Sequence, residues 1–527
     1  MVVAPFALQE GYWETFEVRD DDIEFLYNFL LEKEIPLTTR ELAIALAEER
    51  IRHEKMVIEK QRSSGGAIYF PKDQYNEDQA IIFPALNWQR GKVLAVRDGQ
   101  NPDLGEFKVI RVSLENGETK EFASGIAEHV LNQPPEMIEQ DEGLDLKFVL
   151  ANYGDDLEEY LEESLQDNPD FVRIAGRWFP RALLVDINTG HLNLAEAVLD
   201  MAGGGPLPTP AILDQVGLQN AQNPKLTEFS LDLALEEDTR FDEVGSSGEV
   251  LWFLNRLEPE EVLKPPLFLR YNELEYDRSI LTAAMLELEK ELDDELSPVA
   301  GKSQTANEIQ LPLIFPHWRA GTLPLSARIR HLFPTAYEAP RIRFMLVDGE
   351  TGEKFPGWVV RSQRYVFGLR EWYQSKGVMP GTLIKVKKGK APGEVIVQCE
   401  THRPNREWVR TVLVGSDGGV VFALLKQQVT TVYDERMAVA IPDPEALDLV
   451  WQQSQKDHVP FERILVNTVR ELAKLTPQSH VHASELYTAV NIVRRCPPGP
   501  ILALLASRPW FVHVGDLHFR FDDSERM

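Results

Sequence analysis

The sequence predicts an α+β protein of several domains, and three observations carry that expectation. The chain is 527 residues long and 43% hydrophobic, enough for about three to five cores of ordinary domain size. Its hydrophobic period switches repeatedly between the helical 3.6 and the strand-like 2. Aromatic-led stretches with a central glycine also recur, as NPDFVRIAGRWFP (168–180), TRFDEVGSSGEVLWFL (239–254) and SRPWFVHVGDLHFRF (507–521). Each reads as a β-hairpin that closes a helical segment like a wing.

Residues 1–60 read as a helical hairpin or helix-turn-helix, DDIEFLYNFLLEKEIP followed by TTRELAIALAEERIRHE. Thr38 or Thr39 serves as the cap, and Leu42, Ala45 and Leu46 form the buried stripe. Across 61–132 the period changes. AIIFPALNWQRGKVLAVRDGQNPDLGEFKVIRVSLENGETKEFAS breaks at RDGQNPDLG and ENGE, a meander of short strands for which a small SH3-like β-barrel is the economical fold. Two winged-helix-like units follow, at 140–190 and 191–270. The first leads in with the acidic DDLEEYLEESLQDNPD. The second offers Leu192, Leu194, Ala197 and Val198 to a core and starts another helix at Thr209-Pro210.

Residues 271–310 read as an acidic helical linker, 311–412 as a basic domain, and 413–455 as a β segment and linker. Residues 456–527 repeat two helices and a hairpin, with Ser484 as a capping candidate.

Charge separates these segments further. The chain carries a formal net charge of -29, yet 311–410 holds 17 Lys or Arg against 8 Asp or Glu. That basic domain interleaves its cations with Trp358, Tyr365, Phe367, Trp372 and Tyr373, aromatic positions that are more often core than base-stacking. A basic face attracts phosphate, whereas acidic surroundings repel non-specific nucleic acid. The expected partner is therefore double-stranded DNA. The acidic units suit a protein partner instead.

The hairpins FVRIAG, RFDEVG and WFVHVG, each with its helical lead-in, resemble winged-helix domains. The family is the helix-turn-helix group shared by the bacterial RNA polymerase delta subunit and some restriction-endonuclease and chromatin proteins. The resemblance covers 145–270 and 456–527, and it implies contact with DNA or with a protein such as RNA polymerase. The third copy presents Asn491, Arg494 and Arg495 on its second helix, the residue types that read a major groove.

GKVLAVRDG resembles barrels of transcription factors. WVV, LREWYQSKG and PGTLIKV resemble the DNA-binding pseudobarrel of plant B3 domains and of some restriction enzymes, departing from it at Thr382, where that family has an acidic residue. This likeness implies that Arg361, Arg364 and Arg370 face a duplex, with Lys385, Lys387 and Lys388 on phosphates.

Catalytic signals are sparse. AGKSQT (300–305) is no phosphate loop, because Leu296 stands where the first glycine is required. His480, His482 and Cys496 lack a fourth ligand at useful spacing. The expectation is a non-enzymatic adaptor or transcription-related regulator with no cofactor and no metal, in the cytoplasm, without a membrane role. A divergent nuclease or restriction-system component and a protein-only scaffold are the alternatives, the former requiring metal-dependent cleavage.

Overall fold

The computed structural model describes residues 8, 11–63, 66–86, 89–101, 106–115, 117–132, 142–218, 223–298, 306–416, 418–456, 459–522 and 524. The chain is mixed α+β and divides into two compact units, Met1–Val185 and Asp186–Met527. No described helix is long and apolar enough to cross a membrane.

One local plan occurs three times: helix, two-residue strand, helix, helix, hairpin. In every copy the short strand pairs with the second hairpin strand, which pairs with the first. The first copy comprises helices Asp20–Lys33, Thr39–Ser63 and Leu146–Gln166, strand Leu37–Thr38, and hairpin Phe171–Ile174/Arg177–Pro180. Its hairpin turns through Ala175 and Gly176, both at positive φ, the backbone of a two-residue primed turn. The helix of 39–63 starts on a reciprocal cap between Thr38 and Glu41 and buries Leu42, Ala45 and Leu46, as the sequence suggested.

The domain boundary there differs from expectation. Residues 20–63 are not a free-standing hairpin, and 146–180 is not complete alone. Leu37 pairs with Trp178 across the whole intervening sheet. Local periodicity reports a strand but not its partner, so a split unit reads as two.

The second copy is Thr189–Met201, Leu207–Pro208, Thr209–Val216, Pro224–Glu236 and Phe241–Glu243/Leu251–Leu254. The third is Phe461–Ala473, Val481–His482, Ala483–Val493, Pro498–Ser507 and Phe511–Gly515/His518–Phe521. Equivalent rungs are Leu37–Trp178, Leu207–Trp252 and Val481–Phe519. Trp178 donates its indole N–H to Thr39 at 3.0 Å, and Trp252 donates to Thr209 at 3.1 Å. A buried indole needs an acceptor. In the third copy phenylalanine replaces tryptophan, and Ala483 replaces threonine. Its cap is His482, whose Nδ1 accepts from the Ser484 amide at 3.1 Å, so Ser484 donates at the helix start where a capping oxygen was expected.

Inserted in the first copy is a five-stranded sheet of Ala67–Ile68, Ala80–Phe83, Gln89–Asp98, Lys108–Leu114 and Thr119–Ser124, in sequential order. It curls until the chain beyond its last strand meets the chain beyond its first. The Ile126 amide donates to the Pro71 carbonyl at 2.8 Å, and the Ser124 hydroxyl to that of Asp73 at 2.7 Å. Tyr69, Phe83 and Phe122 fill the interior, the last two with ring centroids 4.2 Å apart.

A seven-stranded sheet runs in the order Glu308–Pro312, Leu383–Lys388, Glu394–Cys399, Arg341–Asp348, Lys354–Val360, Tyr365–Phe367, Thr322–Pro324. Only the Arg341–Asp348 and Glu394–Cys399 pairing is parallel. A flat sheet would set its edges about 29 Å apart. Here 313–321, mostly the six-residue helix Phe315–Ala320, joins them, so the sheet must curl around Leu313, Leu323, Ile342, Val366 and Ile384.

The region 413–455 is not a linker. Strands Thr401–Val414 and Val420–Thr431 form one long antiparallel ribbon, and helix Pro444–Lys456 buries Leu447 and Trp451 in the core that the third copy builds. That core also takes Leu281, Met285 and Leu288. The supposed linker at 271–310 thus contributes to a folded interior.

Candidate nucleic-acid interface

The basic, aromatic stretch is a docking face inside the second compact unit. Trp358, Val360 and Tyr365 pack with Val244, Phe253 and Val262 of the second copy, and Trp372 and Tyr373 are buried within the seven-stranded sheet's own core. The Arg343 amide donates to the Val244 carbonyl at 2.9 Å. The guanidinium of Arg343 lies 5.2 Å from the Phe253 ring centroid and 5.9 Å from that of Trp358. Arg341 bridges Asp242 and Glu258. Burial, together with the neighbouring Asp242, pushes the Glu258 carboxyl up to about 9 against the pull of Arg341. These arginines hold the copy against the sheet.

The nine sequence candidates divide into three groups. Asn491 and Arg495 point inward. Asn491 is fully buried and donates to the Cys496 carbonyl at 2.9 Å. Arg495 is 1% exposed and lies against Asp294, at 2.7 and 2.8 Å, and Glu295, at 2.6 Å. They do not form an outward reading face, because their apparent polar edge is satisfied by acids two hundred residues earlier. The same cluster contains Tyr487, whose hydroxyl donates to Asp294 at 2.5 Å, and His317, 3.2 Å from Glu295. Burial works to raise the Glu295 carboxyl, but Arg495 and His317 outweigh it and hold the carboxyl well below the usual range.

A second group is exposed but paired with the chain's own carboxylates. Arg370 meets Glu261 at 3.4 Å, Lys385 meets Glu400 at 2.5 Å, and Lys387 meets Glu308 at 3.9 Å.

Arg361, Arg364, Lys388 and Arg494 make up the third group. Arg361 and Arg364 lie in the exposed turn between Lys354–Val360 and Tyr365–Phe367. They donate to carbonyls, Arg361 to Ala339 at 2.8 Å and Arg364 to Glu295 at 3.0 Å. A carbonyl orients a guanidinium without cancelling its charge. Arg494, half-buried, donates to the Val459 carbonyl at 3.2 Å. Lys388 is exposed at the end of its strand.

The departure at Thr382 has a structural cause: its hydroxyl is buried 2.9 Å from that of Thr431, tying the sheet to the ribbon base. Of the rejected metal candidates, His482 has its pKa lowered to about 4 by burial and by the neighbouring Arg436 and His518.

Sequence reasoning missed the ribbon. Arg403, Arg406, Trp408 and Lys426 are exposed there. The signal was present in the two alternating runs REWVRTVLV and VVFALLKQQVTTV around GSDGG, but a boundary placed at 412 cut through the first.

Comparison with protein-family models, curated proteins and solved structures returns no match.

Proposed function

We propose that this chain is a non-catalytic, DNA-associated adaptor. It meets duplex DNA through the seven-stranded sheet unit and a protein partner, such as RNA polymerase, through its acidic helix-and-hairpin units. The observation that carries the reading is the exposed Arg361, Arg364 and Lys388, to which no described carboxylate is ion-paired, in a chain of net charge -29. Uncancelled cations are what release counterions from a phosphate backbone.

Two features support the finer assignments. The threefold helix-strand-helix-helix-hairpin plan, with equivalent rungs and a matched Trp/Thr or Phe/Ala exchange, suits winged-helix units. The curled seven-stranded sheet with short helices Phe315–Ala320 and Arg370–Lys376 suits a B3-like pseudobarrel, and the curled five-stranded sheet suits an SH3-like barrel.

The test is fluorescence anisotropy of a labelled duplex with the full chain across a salt series. The variant Arg361→Ser/Arg364→Ser/Lys388→Ser should lower the slope of log K against log salt by about 2 to 3. A full chain that ignores duplex at low salt would end the DNA reading and leave a protein scaffold. Cleavage of the duplex on adding Mg2+ would replace the adaptor with a nuclease.

A further inference from the structure

The ribbon Thr401–Val414/Val420–Thr431 presents a composite face. Antiparallel pairing sets Arg406 opposite Gln428 and Trp408 opposite Lys426, and directly opposed residues two positions apart share one side of a ladder. All four are exposed, Trp408 to 65%. The Lys426 ammonium sits 5.4 Å over the Trp408 ring. Arg403 is also exposed, and no described carboxylate is ion-paired to Arg403, Arg406 or Lys426.

The rest of the ribbon is fixed. On the same side, nearer the turn, Val412 and Phe422 are buried in the core of the third copy. On the other side Val409 and Val429 pack with Ala438 and Ala440. The open patch is therefore rigidly mounted, which costs little ordering on binding.

We propose that this face is a second duplex-DNA contact, with the ribbon lying along the major groove. Charge complementarity selects the occupant, because the patch carries three uncancelled cations within an acidic protein that repels acidic partners elsewhere. A two-stranded ribbon fits the width of a major groove. Arginine and glutamine side by side match the guanine and adenine edges exposed there. Arg406 and Gln428 face the base edges, Arg403 and Lys426 meet the flanking phosphates, and Trp408 packs its apolar face against the groove wall. A cation lost from the patch removes a phosphate contact; a glutamine lost removes base discrimination without changing charge.

The inference rests on the DNA-associated reading, and the experiment separates the two. The full chain and three variants are titrated by anisotropy against a mixed-sequence duplex and against the corresponding single strand. Arg403→Ser/Arg406→Ser/Lys426→Ser should lose at least about tenfold in affinity and flatten the salt slope by about 2 to 3. Arg403→Lys/Arg406→Lys should keep the slope, a rescue that a merely misfolded ribbon would not give. Gln428→Ala should keep the slope while relaxing sequence preference among duplexes selected from a randomised pool.

A full chain that binds duplex while the triple serine variant matches it within twofold overturns the ribbon and spares the adaptor. Tighter binding to the single strand overturns the groove placement. No binding by the full chain overturns both.

Discussion

The end of helix Ala483–Val493 and the ribbon of 401–431 belong to the same compact unit, and both gather arginine and amide side chains. In the helix end, Arg495 and Asn491 are enclosed, with Asp294 and Glu295 matching the guanidinium. On the ribbon, Arg406 and Gln428 face solvent with no such acid beside them. Identical residue types thus serve cohesion in one place and remain available in the other. What separates them is the position of a distant carboxylate, and no reading of cation density along the chain supplies that.

The largest test of this contrast is Arg495→Ala. Removing one partner of a buried ion cluster leaves the others charged and unsolvated, at a cost of about 3–5 kcal/mol. Urea denaturation should show that loss, and a change below about 1 kcal/mol would erase the distinction between the two regions.

Next comes a buried acid with no cation. Asp232 accepts from the Thr209 hydroxyl and from the Trp252 indole at 2.9 Å, and burial pushes its carboxyl up to about 7. The folded value exceeds the unfolded one, near 3.9. The native state therefore favours the proton, and this stabilisation is complete below about pH 4 and is lost as pH rises through about 7, up to about 4 kcal/mol in all. Asp232→Asn should remove that part of the pH dependence in melts recorded between pH 4 and 8. An unchanged profile would show that the carboxyl is ionised within the fold.

The smallest effect sharpens the comparison from the surface side. Lys385 and Lys387 are exposed but paired with Glu400 and Glu308. Lys385→Ser/Lys387→Ser should shift duplex affinity by about twofold at most, since the lost cations were already opposed by carboxylates. A tenfold loss would mean that the pairs open on binding and that linear charge density is the better guide.

Much of the local structure was legible. The three hairpins, the capped helix of 39–63, the Thr209-Pro210 helix start and the strand-turn-strand of DGETGE all follow from period and turn chemistry acting over a few residues. The pairings that decide function were not. Leu37 with Trp178 and Arg495 with Asp294 are contacts between segments 141 and 201 residues apart, and the alternation of a strand carries no address for its partner. Aromatics such as Trp358 and Tyr365 read as core, which they are. Their burial against Val244 and Phe253 depends on a unit whose sequence says nothing of the sheet.

The sheet lodged within the first copy has a consequence for how the chain acquires its structure. Helices Asp20–Lys33 and Thr39–Ser63 leave the ribosome early, yet the Thr39 acceptor for Trp178 waits through 139 residues. Closing so long a disordered loop is entropically unfavourable. The inserted sheet eases this because its own ends meet, Ile126 on Pro71: once folded, it turns a long tether into a short one. The order of events is thus written into the topology, with the insert condensing first, from sequential strands of low contact order, and the surrounding unit snapping shut around it when the hairpin arrives.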